Sequence, residues 1–298
     1  EEDIVFNEDE CNFLYNTWES QIVFSTFVQF FESIFTNKNK KLQKFINIIN
    51  SIIVIDESQL IPPDLYYVFR DYADMLSNIF NIYIINMSAT QPYSSEENFG
   101  VSVLPNYKDY YKTDRTKIII NDSLYNSKYL KEKALKREEF IEQCRGLIEE
   151  SSNKNMLVVL NTKELAEYTY DNLKEENKRI FLLSNNLIPL HKKEKIQDIK
   201  DLMDKKIKDI LVVSTQLIEA GVDLDFDIGL RDFATLPSLI QVVGRINRNF
   251  KHPDNYGELY VYNIENKSIR IYDENLLQYT FNVLREFNQQ IIFEKDYL

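Results

Sequence analysis

Two pairs of side chains in this 298-residue sequence have the types and spacing that phosphate chemistry requires. Asp56 and Glu57 directly follow the apolar run at 51–55. One carboxylate can hold a Mg²⁺ ion on nucleotide phosphates, and the other can accept a proton from an attacking water. Arg245 and Arg248 stand three residues apart, so on a helix they would share one face and offer their planar donor forks to one anion. These residues alone indicate a site for a phosphate chain.

Short apolar runs precede these and several other polar residues. The runs are found at 21–25, 51–55, 82–86, 117–120, 156–160, 180–183, 211–213 and 257–262. Nearly continuous apolar runs of this length are typical of strands buried on both faces of a parallel sheet. Segments with helical character alternate with them, among them 27–35, 64–80, 239–246 and 272–293. The alternation predicts an α/β fold with right-handed crossovers, in which strand ends present the polar residues to a ligand.

The order of the motifs resembles the core of superfamily 2 helicases. The matching segments are D-E-S-Q at 56–59 for motif II, S-A-T at 88–90 for motif III, N-T-K-E-L-A at 161–166 for motif IV, T-Q-L-I-E-A-G-V-D at 215–223 for motif V and Q-V-V-G-R-I-N-R at 241–248 for motif VI. A T-x-x-Q element at 26–29 matches a further motif on the nucleic-acid face. Among these helicases, the residues of motif V most resemble those of the helicase part of the CRISPR-associated helicase–nuclease of type I systems.

The resemblance implies two RecA-like parallel-sheet lobes, of which the first is incomplete. It implies an ATP-dependent helicase or translocase on single-stranded DNA, with ATP and Mg²⁺ as cofactors. The expected division is a partial first lobe with the inter-lobe connection at 1–112, a second lobe at 113–264 and a C-terminal helical extension at 265–298. Target DNA would be unwound and degraded after recruitment by Cascade, the crRNA-guided surveillance complex.

The resemblance also implies a role for each matching residue. The expected catalytic residues are Asp56, Glu57, Gln241, Arg245 and Arg248, and the first two of them are also expected to bind the metal. The expected nucleotide contacts are Gln59, Gly221 and Asp223, and the residues expected to couple the nucleotide and strand sites are Ser88, Ala89 and Thr90. The expected nucleic-acid contacts are Thr26, Gln29, Thr162, Thr215 and Gln216. The arginines are expected to reach the γ-phosphate of a nucleotide between the lobes and to stabilise charge developing during transfer. Val242 stands where the family's motif VI usually has Arg.

Each motif taken alone has a plainer interpretation. The carboxylates could form an acidic loop, the arginines a solvated helix face, and Thr26 with Gln29 a helix cap beside a surface side chain. Motifs V and VI together, in order and at this separation, favour the helicase. Two functional alternatives stay open: another superfamily 2 translocase or RNA helicase, and a helicase-like interaction module without nucleotide turnover.

Two parts of the complete family are not found in this sequence. A phosphate loop, G-x-x-x-x-G-K-[ST], should precede motif II, yet none of the six glycines precedes Asp56 and none is followed by Lys. The His-Asp metal site of the nuclease is also missing, since His191 and His252 are the only histidines. The first residue is Glu1 rather than Met. We therefore expect an N-terminally truncated chain that binds ATP weakly at best and hydrolyses none.

Composition limits the function further. The net charge of −12 argues against a protein that coats nucleic acid by bulk electrostatics, although Lys and Arg cluster at 38–44, 128–137 and 192–208. These clusters fit a local groove or a solvated helix face equally well. The two cysteines show neither disulfide nor metal spacing, and no segment is apolar enough to cross a membrane, so a reducing cytoplasm is expected.

Overall fold

The computed structural model describes residues 7–88, 100–101, 103, 114–126, 132–176, 178–184, 186, 188–219, 222–250, 256–265, 271–287 and 289–297. The chain divides into two compact units, Glu1–Val101 and Ser102–Leu298. Each unit contains parallel strands connected by helices, so the predicted α/β class is confirmed. The domain boundaries after residues 112 and 264 stay predictions. Within the described ranges, no helix combines the length and the apolar character that a membrane span needs.

The first unit has a narrow sheet. In chain order its elements are α1 (Glu8–Thr17), α2 (Phe27–Ile34), α3 (Asn39–Ile46), β1 (Ile52–Ile55), α4 (Pro63–Phe80) and β2 (Tyr83–Asn86). The strands are parallel, with Ile52 opposite Tyr83 and Ile55 opposite Asn86. Apolar side chains of α2, α4 and the strands form the core of this unit. Among the described residues this sheet is two strands wide.

The second unit is built on a wider sheet. Its elements are β3 (Thr116–Ile120), α5 (Asp122–Tyr125), α6 (Arg137–Glu150), β4 (Met156–Val159), α7 (Lys163–Leu173), β5 (Arg179–Leu183), α8 (Pro189–Asp204), β6 (Ile210–Ser214), β7 (Ile228–Asp232), α9 (Leu236–Val243), β8 (Gly257–Tyr262), α10 (Glu274–Glu286), β9 (Ile291–Phe293) and α11 (Glu294–Tyr297). The strand order is β5-β6-β4-β7-β8-β3-β9. Of these described strands, the edge strand β9 is antiparallel to its neighbour and the others are parallel.

Neighbouring side chains of the central strands face two different cores. In β4, Leu157 and Val159 belong to one apolar cluster, while Met156 and Val158 belong to the other. Strand β6 alternates in the same way, and every residue of both strands is buried. Apolar side chains therefore cover both faces of this sheet, as expected for parallel strands with continuous apolar runs.

Strand β7 is absent from the sequence-based prediction. Its segment I-G-L-R-D contains a glycine and two charged residues, which hide its strand character. Yet β7 lies between β4 and β8, and all five of its residues are buried. An added Cβ atom on Gly229 would stand 2.8 Å from the terminal side-chain carbons of Ile246 and Leu259, so a larger residue there would force these side chains to shift. The central position of β7 is what buries the charged side chains described below.

Two predicted elements are wrong. Residues 21–25 form bends and irregular chain, because no strand in the described part of the chain pairs with them. The helix predicted over 272–293 ends at Glu286, and the chain then returns as β9. Pairs such as Ile118 with Ile292 hold β9 antiparallel to β3. Part of the predicted helical extension at 265–298 therefore completes the edge of the sheet.

Candidate functional site

Three predicted site residues of the first unit form one hydrogen-bonded chain. Ser88 donates its hydroxyl to Oε1 of Gln59 at 2.6 Å, and Gln59 donates through Nε2 to the carboxylate of Glu57. The backbone joins the same strand ends, since the amide of Ser58 donates to the carbonyl of Met87 at 3.0 Å. The D-E-S-Q and S-A-T motifs are thus in direct contact, and Gln59 orients the Glu57 carboxylate.

Asp56 and Glu57 stand at the carboxyl end of β1. Asp56 is exposed, and Glu57 is half-buried with a left-handed backbone at φ 54° and ψ 42°. The amide of Glu57 donates to Oδ1 of Asp56 at 2.9 Å. No group of three or more metal-ligating side chains lies within the described residues. Mg²⁺ uses one or two carboxylates and keeps several waters, so this oxygen pair fits that ion.

The elbow after β6 carries two predicted strand contacts of the second unit. Thr215 is buried, and a 3₁₀ turn, Gln216–Ile218, follows it. Gln216 donates through Nε2 to the backbone carbonyl of Asn161 at 3.1 Å, which joins this elbow to the end of β4. Thr162 is next along the chain and caps α7 by accepting a backbone N–H at 3.2 Å. The structure therefore brings Thr162 and Gln216 to adjoining loops at the carboxyl edge of the sheet.

Thr26 and Gln29 form the start of α2. The hydroxyl oxygen of Thr26 accepts from the amide of Gln29 at 3.2 Å, which is the bond of a helix N-cap. The side-chain oxygen of Gln29 accepts from the hydroxyl of Ser25 at 3.1 Å. This geometry is that of the plainer interpretation, so a contact of these residues with nucleic acid stays a prediction.

The two arginines of motif VI do not share a helix face. Helix α9 ends at Val243, and Asn247, with a left-handed φ of 47°, turns the chain between the arginines. Arg245 donates through Nη2 to the backbone carbonyl of Glu219 at 2.9 Å and through Nε to that of Ile218 at 3.3 Å. The expected common helical face is wrong because the helix stops before either arginine, and Arg245 binds the elbow after β6 instead.

Arg248 is held by two aspartates, one at the end of motif V and one just after it. Its Nη1 lies 2.9 Å from Oδ1 of Asp223, and its amide donates to Oδ1 of Asp225 at 2.8 Å. Asp225 also accepts from the side-chain amide of Asn249 at 3.1 Å. Asp223, which the resemblance assigns to the nucleotide, thus pairs with an arginine of motif VI. The two motifs are tied together at two points, one through each arginine.

Two predicted site residues have buried polar atoms without a hydrogen-bond partner among the described residues. They are Nε2 of Gln241 and Oγ1 of Thr215. Leaving a buried polar group unpaired costs about 1–3 kcal/mol, so such atoms call for a ligand, a water or a rearrangement. The predicted roles of Ala89, Thr90 and Gly221 stay predictions, since these three residues lie outside the described ranges.

A buried charged cluster beside these motifs is missing from the sequence-based prediction. Arg231 on β7 is fully buried and donates to the carboxylate of Glu219 at 2.9 Å. Burial raises the pKa of Glu219, and Arg231 opposes that shift. Burial likewise raises the pKa of Asp232 to about 7. The signal available in the sequence is the charged pair R-D at the end of an apolar run shortly before motif VI.

This chain is similar to CRISPR-associated nuclease/helicases. Residues 152–251 match the family model described as CRISPR-associated nuclease/helicase Cas3, C-terminal. The Cas3 protein of Methanothermobacter thermautotrophicus is 30% identical over 149 residues, which cover 49% of this chain and 18% of that protein. The Haloferax volcanii protein is 22% identical over an alignment of 339 positions, gaps included, that covers 86% of this chain and 36% of that protein. The chain thus spans well under half the length of either relative.

Solved structures of this group have the same fold. The crystal structure of T. fusca Cas3 with AMPPNP matches with a TM-score of 0.68 at 16% identity, over 92% of this chain and 37% of that one. A chain of the structure described as a CRISPR RNA-guided surveillance complex, pre-nicking, gives 0.62 at 17% identity, over 89% and 38%. The resemblance to the helicase part of the CRISPR-associated helicase–nucleases is confirmed, and the two units have a Cas3-like RecA fold.

Proposed function

We propose that this chain carries the catalytic and strand-gripping motifs of an ATP-driven helicase that moves along single-stranded DNA. The observation that carries this proposal is the contact between motifs V and VI, where Arg245 binds the backbone carbonyls of Ile218 and Glu219. Motif V also contains Gln216, a proposed strand contact. Motif V therefore contacts Arg245, the arginine proposed to bind phosphate, and contains Gln216, the side chain proposed to bind the strand. A translocase needs such a connection between its nucleotide site and its strand site.

Asp56 and Glu57 perform the metal-binding and proton-accepting parts of hydrolysis. Mg²⁺, when bound, neutralises charge on the nucleotide phosphates, and these two carboxylates would hold it, partly through water. The Glu57 carboxylate accepts a proton from the attacking water. Gln59 keeps that carboxylate oriented through its side-chain amide, and Ser88 links the same hydrogen-bonded chain to motif III.

Arg245 and Arg248 stabilise the γ-phosphate during transfer, with Gln241 on α9 beside them. A guanidinium presents parallel donors to phosphate oxygens, and such arginines contribute about 10³- to 10⁵-fold in related enzymes. Arg248 is paired with Asp223, so engaging the nucleotide requires it to exchange that carboxylate for a phosphate. The Arg248 side chain is 40% exposed, which leaves it accessible for the exchange.

The strand-binding face uses Thr26, Gln29, Thr162, Thr215 and Gln216. Hydroxyls, side-chain amides and backbone amides at these positions grip the phosphates of the strand without reading its bases. Binding is therefore nearly independent of sequence and falls as salt rises. Because the net charge of the chain is −12, local groups rather than bulk attraction provide the contact.

The biological setting that we propose is type I CRISPR interference, with recruitment to target DNA by Cascade, the crRNA-guided surveillance complex. Support comes from relatives named CRISPR-associated nuclease/helicase Cas3 and from the likeness to a chain in a surveillance complex. The chain spans part of those relatives and has no phosphate loop, so the complete reaction is proposed for the full-length gene product. The 298 residues alone are expected to hydrolyse no ATP.

Substitution of Glu57 tests this proposal in the full-length gene product. Glu57→Gln should keep ATP binding while lowering strand-stimulated ATP hydrolysis by about 10²- to 10⁴-fold, because the general base is lost. Glu19→Gln changes an exposed carboxylate of the same unit and should hydrolyse ATP as the wild type does. Undiminished hydrolysis by Glu57→Gln would remove Glu57 from this role.

A helicase-like interaction module without nucleotide turnover is the second candidate function. One observation favours it: none of the six glycines in the sequence belongs to a phosphate loop. Such a module would bind single-stranded DNA with the same affinity in the presence and absence of ATP. A change of that affinity with nucleotide would instead support the helicase.

A further inference from the structure

Arg231 lies at the centre of a buried polar cluster in the second unit. Its Nη1 donates to Oδ1 of Asn161 at 2.6 Å, and its Nη2 donates to Oε1 of Glu219 at 2.9 Å. The same Nη2 lies 2.9 Å from the hydroxyl oxygens of Ser238 and Tyr272. The Arg231 side chain has no exposure to solvent. One guanidinium therefore joins four segments: the end of β4, the elbow after β6, the first turn of α9 and the approach to α10.

Two of these partners, Glu219 and Asn161, also bind residues to which the proposed function assigns a role. Glu219 binds Arg231 through its carboxylate and Arg245 through its backbone carbonyl, at 2.9 Å in each case. Asn161 binds Arg231 through its side chain and Gln216 through its backbone carbonyl, the latter at 3.1 Å. A single intervening residue thus separates the buried guanidinium from the proposed phosphate contact on one side and from the proposed strand contact on the other.

We propose, on the basis of the function proposed above, that Arg231 is a positioning residue that keeps the strand-binding elbow and Arg245 in one register. Arg suits this task because its rigid planar fork binds several acceptors in fixed directions. Without the fork, Glu219 and Asn161 move independently of each other, and strand binding no longer sets the position of Arg245. Arg231 itself touches neither the nucleotide nor the strand.

Stability alone does not account for the Arg231 cluster. The desolvation of a buried ion pair largely offsets its attraction, and replacement by apolar side chains of similar volume is often neutral or stabilising. The cluster is also incompletely bonded, since Nε of Arg231 and Oδ2 of Asp232 are buried with no hydrogen-bond partner in the described part of the chain. Buried groups left unpaired in this way cost stability, which is expected where a role other than stability retains the cluster.

A double substitution in the full-length gene product separates positioning from folding. Arg231→Met with Glu219→Leu removes both buried charges and roughly keeps their volume. The hydroxyls of Ser238 and Tyr272, 3.2 Å apart, remain able to bond each other. Steady-state ATP hydrolysis is measured with and without single-stranded DNA, and the melting temperature is measured on the same samples.

The matched control is Lys178→Met with Asp209→Leu. These residues also form an ion pair in the second unit, at 2.9 Å, and the Lys178 side chain is 3% exposed. The remaining bonds of the Lys178 ammonium go to the backbone carbonyls of Ser151 and Lys154, which lie outside motifs IV to VI. The control therefore loses an ion pair whose cation is buried and whose carboxylate, Asp209, is 37% exposed, without touching the segments that Arg231 joins.

We expect the stimulation of kcat by single-stranded DNA to fall about tenfold in the Arg231 double variant, a typical coupling between two sites, while KM for ATP changes less than about threefold. The control should keep the stimulation of the wild type. Stimulation that is retained in the Arg231 double variant, or lost equally in the control, overturns the inference.

A single substitution covers the case in which the double variant does not fold. Asn161→Leu removes one bond of the Arg231 guanidinium and should lower the stimulation in the same direction by a smaller factor. Unchanged stimulation in that variant overturns the inference as well. A wild-type protein without any strand-stimulated hydrolysis overturns the proposed function itself, and the role of Arg231 falls with it.

Discussion

The two units of this protein place the same kind of strand in opposite surroundings. All residues of β4 and β6 in the second unit are buried, with apolar clusters on both faces of the sheet. In the first unit, Ile52 and Val54 of β1 are 68% and 55% exposed, and Tyr83 on β2 is 65% exposed. The apolar composition of a segment indicates that it can form a strand of a parallel sheet. The side chains of that strand are buried only where further elements cover each face of the sheet.

The candidate sites of the two units differ in the same way. In the second unit, Arg231 and Arg245 tie motifs IV, V and VI into one cluster of buried and half-buried groups. In the first unit, a single chain of hydrogen bonds through Gln59 and Ser88 orients Glu57, and Asp56 is exposed. The candidate residues of the second unit are therefore held by several buried partners, whereas those of the first unit are held by fewer contacts and are more exposed.

The largest effect on stability is expected in the buried cluster of the second unit. Arg231→Ala leaves Glu219 buried without its cation and should lower the free energy of unfolding by about 3–5 kcal/mol. Lys41→Ala breaks the exposed ion pair with Glu32 in the first unit and should leave that free energy nearly unchanged. Chemical denaturation followed by circular dichroism measures both. Equal losses would contradict the contrast between the units.

The next largest difference in stability between the two units is expected when an apolar strand side chain is replaced by alanine. Leu157→Ala in β4 opens a cavity between packed layers and should cost about 2–5 kcal/mol. Val54→Ala in β1 changes an exposed side chain and should stay within about 0.5 kcal/mol. The fluorescence of Trp18, the only tryptophan and buried in the first unit, follows that unit separately. A large loss for Val54→Ala would contradict the exposed surroundings of β1.

The smallest of these effects concerns Asp232 and depends on pH. Burial raises its pKa from the ordinary 3.8 to about 7, with Arg231 opposing, so the folded protein holds a proton that the unfolded chain releases. The stabilisation that the protonated Asp232 contributes to the free energy of unfolding is complete below pH 3.8 and is lost as the pH rises through about 7. Asp232→Asn removes this dependence, so its melting temperature relative to wild type should rise between about pH 5 and pH 8, by roughly 2–4 °C per kcal/mol. A constant difference across that range would contradict the raised pKa.

The parts of the molecule that sequence reasoning predicts correctly carry a local signal. Continuous apolar runs identify β1, β4 and β6 to within a residue or two at each end. Motif order identifies segments that the structure brings together, such as D-E-S-Q and S-A-T, which meet through Gln59 and Ser88. It also joins Arg245 to the segment after β6, although through backbone carbonyls that no spacing rule specifies.

The parts that it misses depend on distant partners. Residues 21–25 have the composition of a strand but no described strand beside them, whereas 291–293 become a strand because β3 offers an edge. Arg231 has the sequence signature of a surface charge until β7 is seen at the centre of the sheet. Strand β7 reaches its central position by pairing with the distant strands β4 and β8, for example Met156 with Ile228 and Ile228 with Glu258, and no local window contains that information.

Strand-stimulated ATP hydrolysis by the full-length gene product carrying Arg245→Lys tests the central claim most directly. Lys keeps the charge but loses the planar fork, so it cannot bind the motif V carbonyls and a phosphate in fixed directions. Arg285→Lys, an exposed position on α10, is the matched control. We predict that Arg245→Lys lowers the stimulated rate at least about 100-fold while the control matches wild type. Stimulated hydrolysis at the wild-type rate in Arg245→Lys would contradict the role of motif VI in this protein.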